Sequence, residues 1–234
     1  MSDIHISRRQ VFALVGSLLF ATASETMFSN AANALSNGDI SHGSRAKKEV
    51  ALTFHGAGSI SIARELLAIT QSTQTPITVM AVGTWLNANP GIAREILSGG
   101  HEIGNHTLNH LTMTHLTLAQ ASKEIALGKA AITKATGNSV GYFRPSGTPQ
   151  SNAIIRKAAL ANGYKNCITY DVDTLDYQDP TPSRIVRNCL NGVQNGSIVS
   201  LHFGHANTVK ALPGIIEGLK RAQLTPVTLA TLLS

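Results

Sequence analysis

Cysteine, aromatic residues and long apolar runs are scarce in this chain of 234 residues. Cys167 and Cys189 are the only thiols, and the absence of a C-x-x-C spacing excludes a cysteine-rich zinc site. They could form one disulfide in an exported chain or remain two buried thiols, and the sequence leaves both open. Aromatic residues make up 5% of the chain and the basic residues are scattered, which argues against nucleic-acid binding.

Acidic residues are also few, since 13 Asp and Glu face 19 Lys and Arg, for a formal net charge of +6. Such a surface favours encounters with anionic polymers, so we expect a neutral or anionic glycan, such as a cell-wall polymer, as the partner. The hydrophobic fraction of 43% is enough for the core of one ordinary domain.

The first 34 residues have the layout of an export signal. Ser7-Arg8-Arg9 precede an apolar run over residues 11–23, and the stretch closes on Ala32-Asn33-Ala34. The paired arginines indicate the twin-arginine route, and the run is too short to span a bilayer, although an uncleaved anchor is the alternative. We predict a linker at 35–47 and one domain at 48–234, secreted or periplasmic and cell-wall associated, monomeric, with no stable membrane span.

From Lys48 onward, strand-like and helix-like patterns alternate along the chain. Seven apolar strands are predicted, at residues 50–54, 76–82, 101–105, up to 143, 164–170, 197–202 and 226–229. Helices follow the strands, and Thr117 with Gln120 has the spacing of a capping box. Alternation on this scale predicts an α/β fold with a parallel sheet, closed or nearly closed into a seven-stranded, distorted TIM-like (β/α) barrel.

Polar residues recur where these predicted strands end. In a parallel barrel such ends share the C-terminal face, where active sites are built. We therefore expect convergence of six side chains: His55, His106, Arg144, Asp171, Asp173 and His202.

The stretch "HTLNH" places His106 and His110 four residues apart. If the chain coils after the strand, both imidazoles lie on one side, as a divalent metal needs. In "YFRPSG", Arg144 is either an anion clamp or a fixed charge that tunes the pKa of a neighbour. "DVDTLDY" supplies three carboxylates, of which at least one is expected to orient a histidine.

Read in order, "TFHGAG", "HTLNH", "FRPSG", "DTLDY" and "SLH" resemble the five motifs of the NodB-like polysaccharide deacetylases, carbohydrate esterase family 4. The resemblance covers residues 48–234 and implies a divalent metal, zinc or alternatively cobalt. It also implies removal of N-acetyl groups from amino-sugar polymers such as peptidoglycan or chitin. In such enzymes an aspartate is the base and a histidine protonates the leaving amine.

Residue by residue, the resemblance makes His106 and His110 metal ligands and His202 the general acid. Asp173 matches the carboxylate that orients His202, and Arg144 matches the arginine that pairs with the base. Tyr177, Pro145 and Ser146 fall in the substrate-binding wall. Tyr177 stands where tryptophan is usual, and Ser200 stands where leucine is common.

The first motif departs from the family pattern T-F-D-D-G. Its two aspartates, the base and the third metal ligand, are here His55 and Gly56. His55 could complete a three-histidine zinc site, which leaves Asp171, Asp173, His205 or a hydroxide on the metal as the base. It could instead be the base itself, or the site could be inactive. The positive charge of Arg144 is expected to lower the pKa of His55 and keep it neutral.

Three functions follow from these patterns. The first is an exported metal-dependent polysaccharide deacetylase, a hydrolase of non-peptide carbon-nitrogen bonds. The second is a glycan-binding pseudoenzyme that retains the groove without the chemistry. The third is a zinc hydrolase of small amides or esters.

Overall fold

Residues Gly38–Ser234 are described by the computed structural model. The predicted export signal at residues 1–34 lies outside the described residues, so it stays a prediction. Across residues 38–234, no helix combines the length and the apolar character that crossing a bilayer requires.

Six parallel strands form the sheet, in the order β3-β2-β1-β5-β4, with β6 beside the first residues of β1. Their bounds are β1 Glu49–Gly56, β2 Thr78–Ala81, β3 Glu102–Asn105, β4 Val172–Asp173, β5 Ile198–His202 and β6 Thr225–Val227. The expected α/β fold with a parallel sheet is confirmed. The register places His55 directly beside His202, because both lie at the C-terminal ends of adjacent strands.

Eight α-helices are described around this sheet: α1 Ile60–Ser72, α2 Gly83–Ala88, α3 Ile92–Ser98, α4 Leu118–Thr136, α5 Ala153–Ala161, α6 Pro182–Gly192, α7 Ala206–Arg221 and α8 Leu229–Leu232. Two 3₁₀ turns lie at Met113–His115 and Asp176–Gln178. The predicted capping box of Thr117 and Gln120 begins α4. Helix α3 begins after Gly91, whose φ of 98° requires a glycine.

Of the seven predicted strands, five form regular strands within residues 38–234. The segment that ends at Phe143 makes a single bridge to Asn105, because Gly141 and Pro145 flank it and proline has no N–H to extend the ladder. The ladders therefore do not close between β3 and β4. Short extended segments span this gap, where the Arg144 N–H donates to Asn105 O at 2.9 Å and the Ile168 N–H donates to Phe143 O at 2.8 Å.

Part of the predicted linker packs against this barrel. Ile40 bridges Ile168 and His42 bridges Ser197. Ile40 occupies hydrogen-bonding groups of residues 167–169, where the Thr169 N–H donates to Ile40 O at 2.8 Å. The strand predicted at residues 164–170 is consequently reduced to a bridge, and the regular strand β4 begins only at Val172.

Alternating residues of β1 face two different layers. Leu52 and Phe54 pack against the surrounding helices, and the Phe54 ring centroid lies 5.3 Å from that of Phe203. Ala51 belongs to the interior cluster, so Thr53 and His55 continue along the same inner face. This two-residue period brings the His55 imidazole into the barrel rather than toward the helices.

Candidate active site

Five predicted site residues converge at the C-terminal ends of the strands. His55 ends β1 and His202 ends β5, and their rings stack with centroids 4.2 Å apart. His106 follows β3, and its ring centroid lies 4.4 Å from that of His55. The Arg144 guanidinium comes within 3.5 Å of His55 Nε2. Asp173, in β4, lines the same cavity as His55 and His202.

The imidazoles of His55, His106 and His110 form one cluster. One nitrogen from each lies within 4.8 Å of the others. His106 is fully buried and His110 is exposed, so the cluster opens toward solvent on the His110 side. A three-imidazole donor set of this kind suits zinc and other divalent transition metals.

The hydrogen positions of this cluster follow from its contacts. His106 Nδ1 lies 2.9 Å from Arg144 O, a carbonyl that can only accept, so Nδ1 carries the hydrogen. His106 Nε2 is therefore an acceptor, and His55 Nδ1, 2.8 Å away, donates to it. His55 Nε2 then bears the lone pair and faces Ser200 Oγ at 3.2 Å.

Burial and mutual repulsion keep these imidazoles neutral. Burial is the largest cause that lowers the pKa of His55 well below 6.5, followed by the neighbouring His106 and His202 and then by Arg144. The predicted direction of the Arg144 effect is confirmed, but desolvation is the larger influence. Burial likewise lowers the pKa values of His106 and His110.

Arg144 is a buried cation, with 1% of its surface exposed. Its guanidinium donates to the carbonyls of Ile168 and Thr169 and lies 5.4 Å from the ring centroid of Tyr170. Arg144 forms no salt bridge within residues 38–234. Burial lowers the pKa of Arg144 to about 10, so it remains charged at neutral pH.

The loop between His106 and His110 is held in a strained conformation. Thr107 has a φ of 68°, which is rare for a β-branched residue, and His110 has a φ of 58°. The Thr107 N–H donates to Asn105 Oδ1 at 2.9 Å, and Thr107 O accepts from Gly83 N–H at 2.9 Å. Buried Glu124 accepts two hydrogen bonds from Asn109. The spacing brings both imidazoles to one side through this loop rather than through a helix.

His202 is oriented by Asp176, and the prediction that Asp173 does so is wrong. His202 Nδ1 lies 2.7 Å from Asp176 Oδ1, and the His202 N–H donates to Asp176 Oδ2 at 2.7 Å. Thr208 Oγ1 also donates to this fully buried carboxylate. Because Nδ1 is occupied, Nε2 is the His202 nitrogen that remains available to a molecule in the cavity that His202 lines.

The other residues weighed as a base have different positions. Asp171 precedes β4, where it pairs with Arg45 at 2.8 Å and accepts from the Ile198 N–H at the start of β5. It therefore lies at the opposite end of the strands, and the expectation that it joins the site is wrong. His205 is partly exposed and pairs with Asp179 at 3.1 Å.

The open cavity beside the cluster measures about 300 Å³. Its wall consists of His55, His110, Gly147, Thr148, Pro149, Tyr170, Asp173, Tyr177 and His202. Tyr177, predicted to bind substrate, lines this cavity and is 46% exposed. Pro145 and Ser146, also predicted to bind substrate, are buried and are not among the residues that line this cavity. Ser146 instead donates to Leu111 O at 2.6 Å, which braces the loop that carries His110.

No side chain fits at position 56 in this backbone. A Cβ on Gly56 would lie 2.7 Å from Val79 Cγ1 and 3.1 Å from Ala81 Cα. The direction in which a residue 56 side chain would point is thus filled by apolar neighbours. Of positions 55 and 56, where the family pattern has aspartates, only position 55 directs its side chain toward His106 and His110.

A family model described as polysaccharide deacetylase matches residues 42–167, more than half of the chain. The chain belongs to the polysaccharide deacetylase family. Among its relatives, a peptidoglycan-N-acetylglucosamine deacetylase of Bacillus cereus is 29% identical over 191 residues, covering 80% of this chain and 89% of that protein. The peptidoglycan-N-acetylglucosamine deacetylase PgdA of Listeria monocytogenes is 26% identical over 75% of this chain and 37% of its own length.

Solved structures of the family have the same fold. A pseudoenzyme of carbohydrate esterase family 4 from Bacillus anthracis superposes with a TM-score of 0.80 at 26% identity, over 86% of this chain and 71% of that one. A mutant of that pseudoenzyme is described as having restored enzymatic activity. A family 4 carbohydrate esterase from Streptomyces lividans reaches a TM-score of 0.70 at 29% identity, over 76% of this chain and 90% of that one.

Proposed function

We propose that this protein is an exported, metal-dependent polysaccharide deacetylase that hydrolyses N-acetyl groups of amino-sugar polymers, with peptidoglycan as the first substrate to test. The observation that carries the proposal is the open cavity that has a three-histidine cluster on one side and a His202–Asp176 pair on the other. The deacetylase names of the relatives support this choice of substrate.

His55, His106 and His110 are the residues proposed to hold the metal. All three offer neutral imidazole nitrogens, which is the form that binds zinc, and their nitrogens lie within 4.8 Å of one another. The second nitrogen of His106 is fixed by the Arg144 carbonyl, an outer contact typical of metal-binding histidines. A divalent cation held there supplies Lewis acidity toward the acetyl carbonyl oxygen.

His202 and Asp173 are the proposed acid and base. As the amide carbon-nitrogen bond breaks, His202 Nε2 gives a proton to the leaving amine, while Asp176 holds the ring from Nδ1 and stabilises its charged form. Asp173 is assigned the proton of the attacking water, because it is the one carboxylate that the described cavity wall contains. Exposed Tyr177 offers an apolar face to a sugar ring.

The test is acetate release from acetylated glucosamine oligomers and from peptidoglycan, with zinc or cobalt added to purified protein. We expect acetate above the level of a His106→Ala control. No excess over that control with any of several metals would contradict the proposal. Metal content adds a second readout: His55→Ala should lose bound metal if His55 is a ligand, whereas retained metal with lost activity would make it the base.

A pseudoenzyme is the second candidate function, and a specific observation favours it. Both first-motif carboxylates are absent, and Val79 and Ala81 leave no room for one at position 56. This function predicts glycan binding that survives both a chelator and His202→Ala. Glycan binding that is abolished by the chelator would count against it.

A further inference from the structure

Ser200 is a buried hydroxyl with one hydrogen-bond partner. It lies in β5 on the inner face of the barrel and is 1% exposed. Within residues 38–234, the side-chain hydroxyl contacts only His55 Nε2, at 3.2 Å. The preceding and following residues, Val199 and Leu201, belong to the apolar layer under the helices. The hydrogen bond with His55 is therefore the one polar contact that the Ser200 hydroxyl makes within residues 38–234.

In the arrangement described above, the ring hydrogen of His55 is on Nδ1, the nitrogen that would have to bind the metal. His55 Nδ1 is the nitrogen that faces His106, and it donates to His106 Nε2 at 2.8 Å. To bind the same cation as His106, Nδ1 must present a lone pair instead. In a neutral ring the hydrogen is then on Nε2, after Nδ1 gives one proton to water and Nε2 takes one from water.

The hydrogen on Nε2 needs an acceptor in a buried position. The Arg144 guanidinium, with Nη1 3.5 Å from Nε2, has only donors and cannot serve. Ser200 Oγ can both donate and accept, so it satisfies Nε2 with the hydrogen on either nitrogen. An aliphatic side chain at position 200 would leave the N–H of the metal-binding form without a partner, at a substantial energetic cost.

We propose that Ser200 is the positioning residue that allows His55 to bind a divalent cation, an inference that rests on the proposed three-histidine metal site. The serine and the histidine act as a pair: His55 brings a nitrogen ligand, and the Ser200 hydroxyl accepts the hydrogen from its other nitrogen. Outer-shell partners of this kind typically change metal affinity by about 10- to 100-fold when they are removed.

Zinc affinity, measured by competition with a chromophoric chelator, tests the pairing without any substrate. Ser200→Ala is expected to weaken zinc binding by about 10- to 100-fold. In a His55→Ala background the same substitution should change zinc affinity by less than about 2-fold, because no imidazole remains to be positioned. Ser200→Thr and Ser200→Val have nearly the same shape, and the hydroxyl-bearing variant should bind zinc more tightly.

Nitrogen NMR of histidine-labelled protein provides a second measurement. Addition of zinc to the wild-type protein should move the ring hydrogen of His55 from Nδ1 to Nε2. Three results would overturn the proposal: wild-type zinc affinity in Ser200→Ala, an equal loss in both backgrounds, or no movement of the hydrogen. None of these readouts depends on acetate release, so the pairing can hold in a protein that fails as a deacetylase.

Discussion

At the scale of single residues, His55 takes a position that the family pattern reserves for a carboxylate. Its imidazole lies between a neutral acceptor, His106 Nε2, and the cation of Arg144. Burial lowers the pKa of His55 most, and the neighbouring His106, His202 and Arg144 lower it further, because a second positive charge is unfavourable there. Neutrality keeps a nitrogen lone pair available, which both a metal ligand and a base require.

Asp176→Asn should test the orientation of His202. Three donors point at the two carboxylate oxygens of Asp176, namely two from His202 and one from Thr208, whereas an amide offers one oxygen. We expect kcat for acetate release to fall by about 10²- to 10⁴-fold. Unfolding free energy from urea denaturation should fall by about 1–3 kcal/mol, since a buried donor loses its partner.

Asp179→Asn is the matched control for this change. Asp179 also pairs with a histidine, His205, but its side chain is 64% exposed. Both kcat and unfolding free energy should stay close to wild type. Equal effects of the two substitutions would show that orientation by Asp176 is not required.

At the scale of elements, the loop between His106 and His110 depends on how closely α4 approaches it. Gly128 lies on the buried side of α4. A Cβ there would lie 2.5 Å from Asn105 Oδ1 and 2.7 Å from the Thr107 carbonyl carbon. The backbone of α4 at Gly128 thus packs directly against Thr107, the strained residue that follows His106.

Gly128→Ala should therefore displace the loop between His106 and His110, although Gly128 itself lies outside the site. Overpacking costs about 1–3 kcal/mol, which exceeds the gain of about 1 kcal/mol or less from replacing a helical glycine. We expect lower unfolding free energy in urea and weaker zinc binding in the chelator competition, because both histidines adjoin the displaced loop.

Gly214→Ala in α7 provides the comparison. Its added Cβ would lie 3.0 Å from Val186 Cγ2, and no histidine of the described residues lies within 4 Å of it. Unfolding free energy should change by less than about 1 kcal/mol, with zinc affinity unaltered. Unchanged zinc binding in Gly128→Ala would refute the role of this close contact.

At the scale of the whole molecule, stability is coupled to pH through a histidine away from the site. His101 is 6% exposed, and its Nε2 lies 3.1 Å from Thr70 Oγ1. Because that hydroxyl donates to Leu67 O at 2.9 Å, His101 Nε2 must carry the hydrogen. Nδ1 is buried and has no hydrogen-bond partner among residues 38–234, so protonation would place a charge in an apolar setting. Burial accordingly lowers the pKa of His101.

Unfolding free energy should fall as the pH falls below about 6.5, the value at which an unfolded histidine takes its proton. The unfolded chain binds that proton first, so the slope reaches up to about 1.4 kcal/mol per pH unit for this one residue. Urea denaturation of metal-free protein between pH 7.5 and 5.5 should give a shallower slope for His101→Gln. Substitution of exposed His115 by Gln should leave the wild-type slope, and identical slopes in all three proteins would contradict the assignment.

Sequence patterns predicted the parallel α/β architecture and most of its elements. Apolar runs of four to seven residues followed by helical spacing are local signals, and a capping box marks the start of α4. The convergence of His55, His106, Arg144, Asp173 and His202 also followed, because parallel strands bring their ends to one face. Where Gly141 and Pro145 flank a short apolar segment, the ladder failed to extend, and six strands formed instead of seven.

The stretch "DVDTLDY" did not by itself predict which of its three aspartates pairs with His202. Leu175 adopts a φ of 56°, rare for leucine, and the following 3₁₀ turn buries Asp176 against His202. Asp171 lies at the other end because β4 starts one residue after it. The kinds of chemical groups and the face they share are local and periodic properties of the chain. The pairing of Asp176 with His202, and of Ser200 with His55, depends on packing between segments that are distant in sequence.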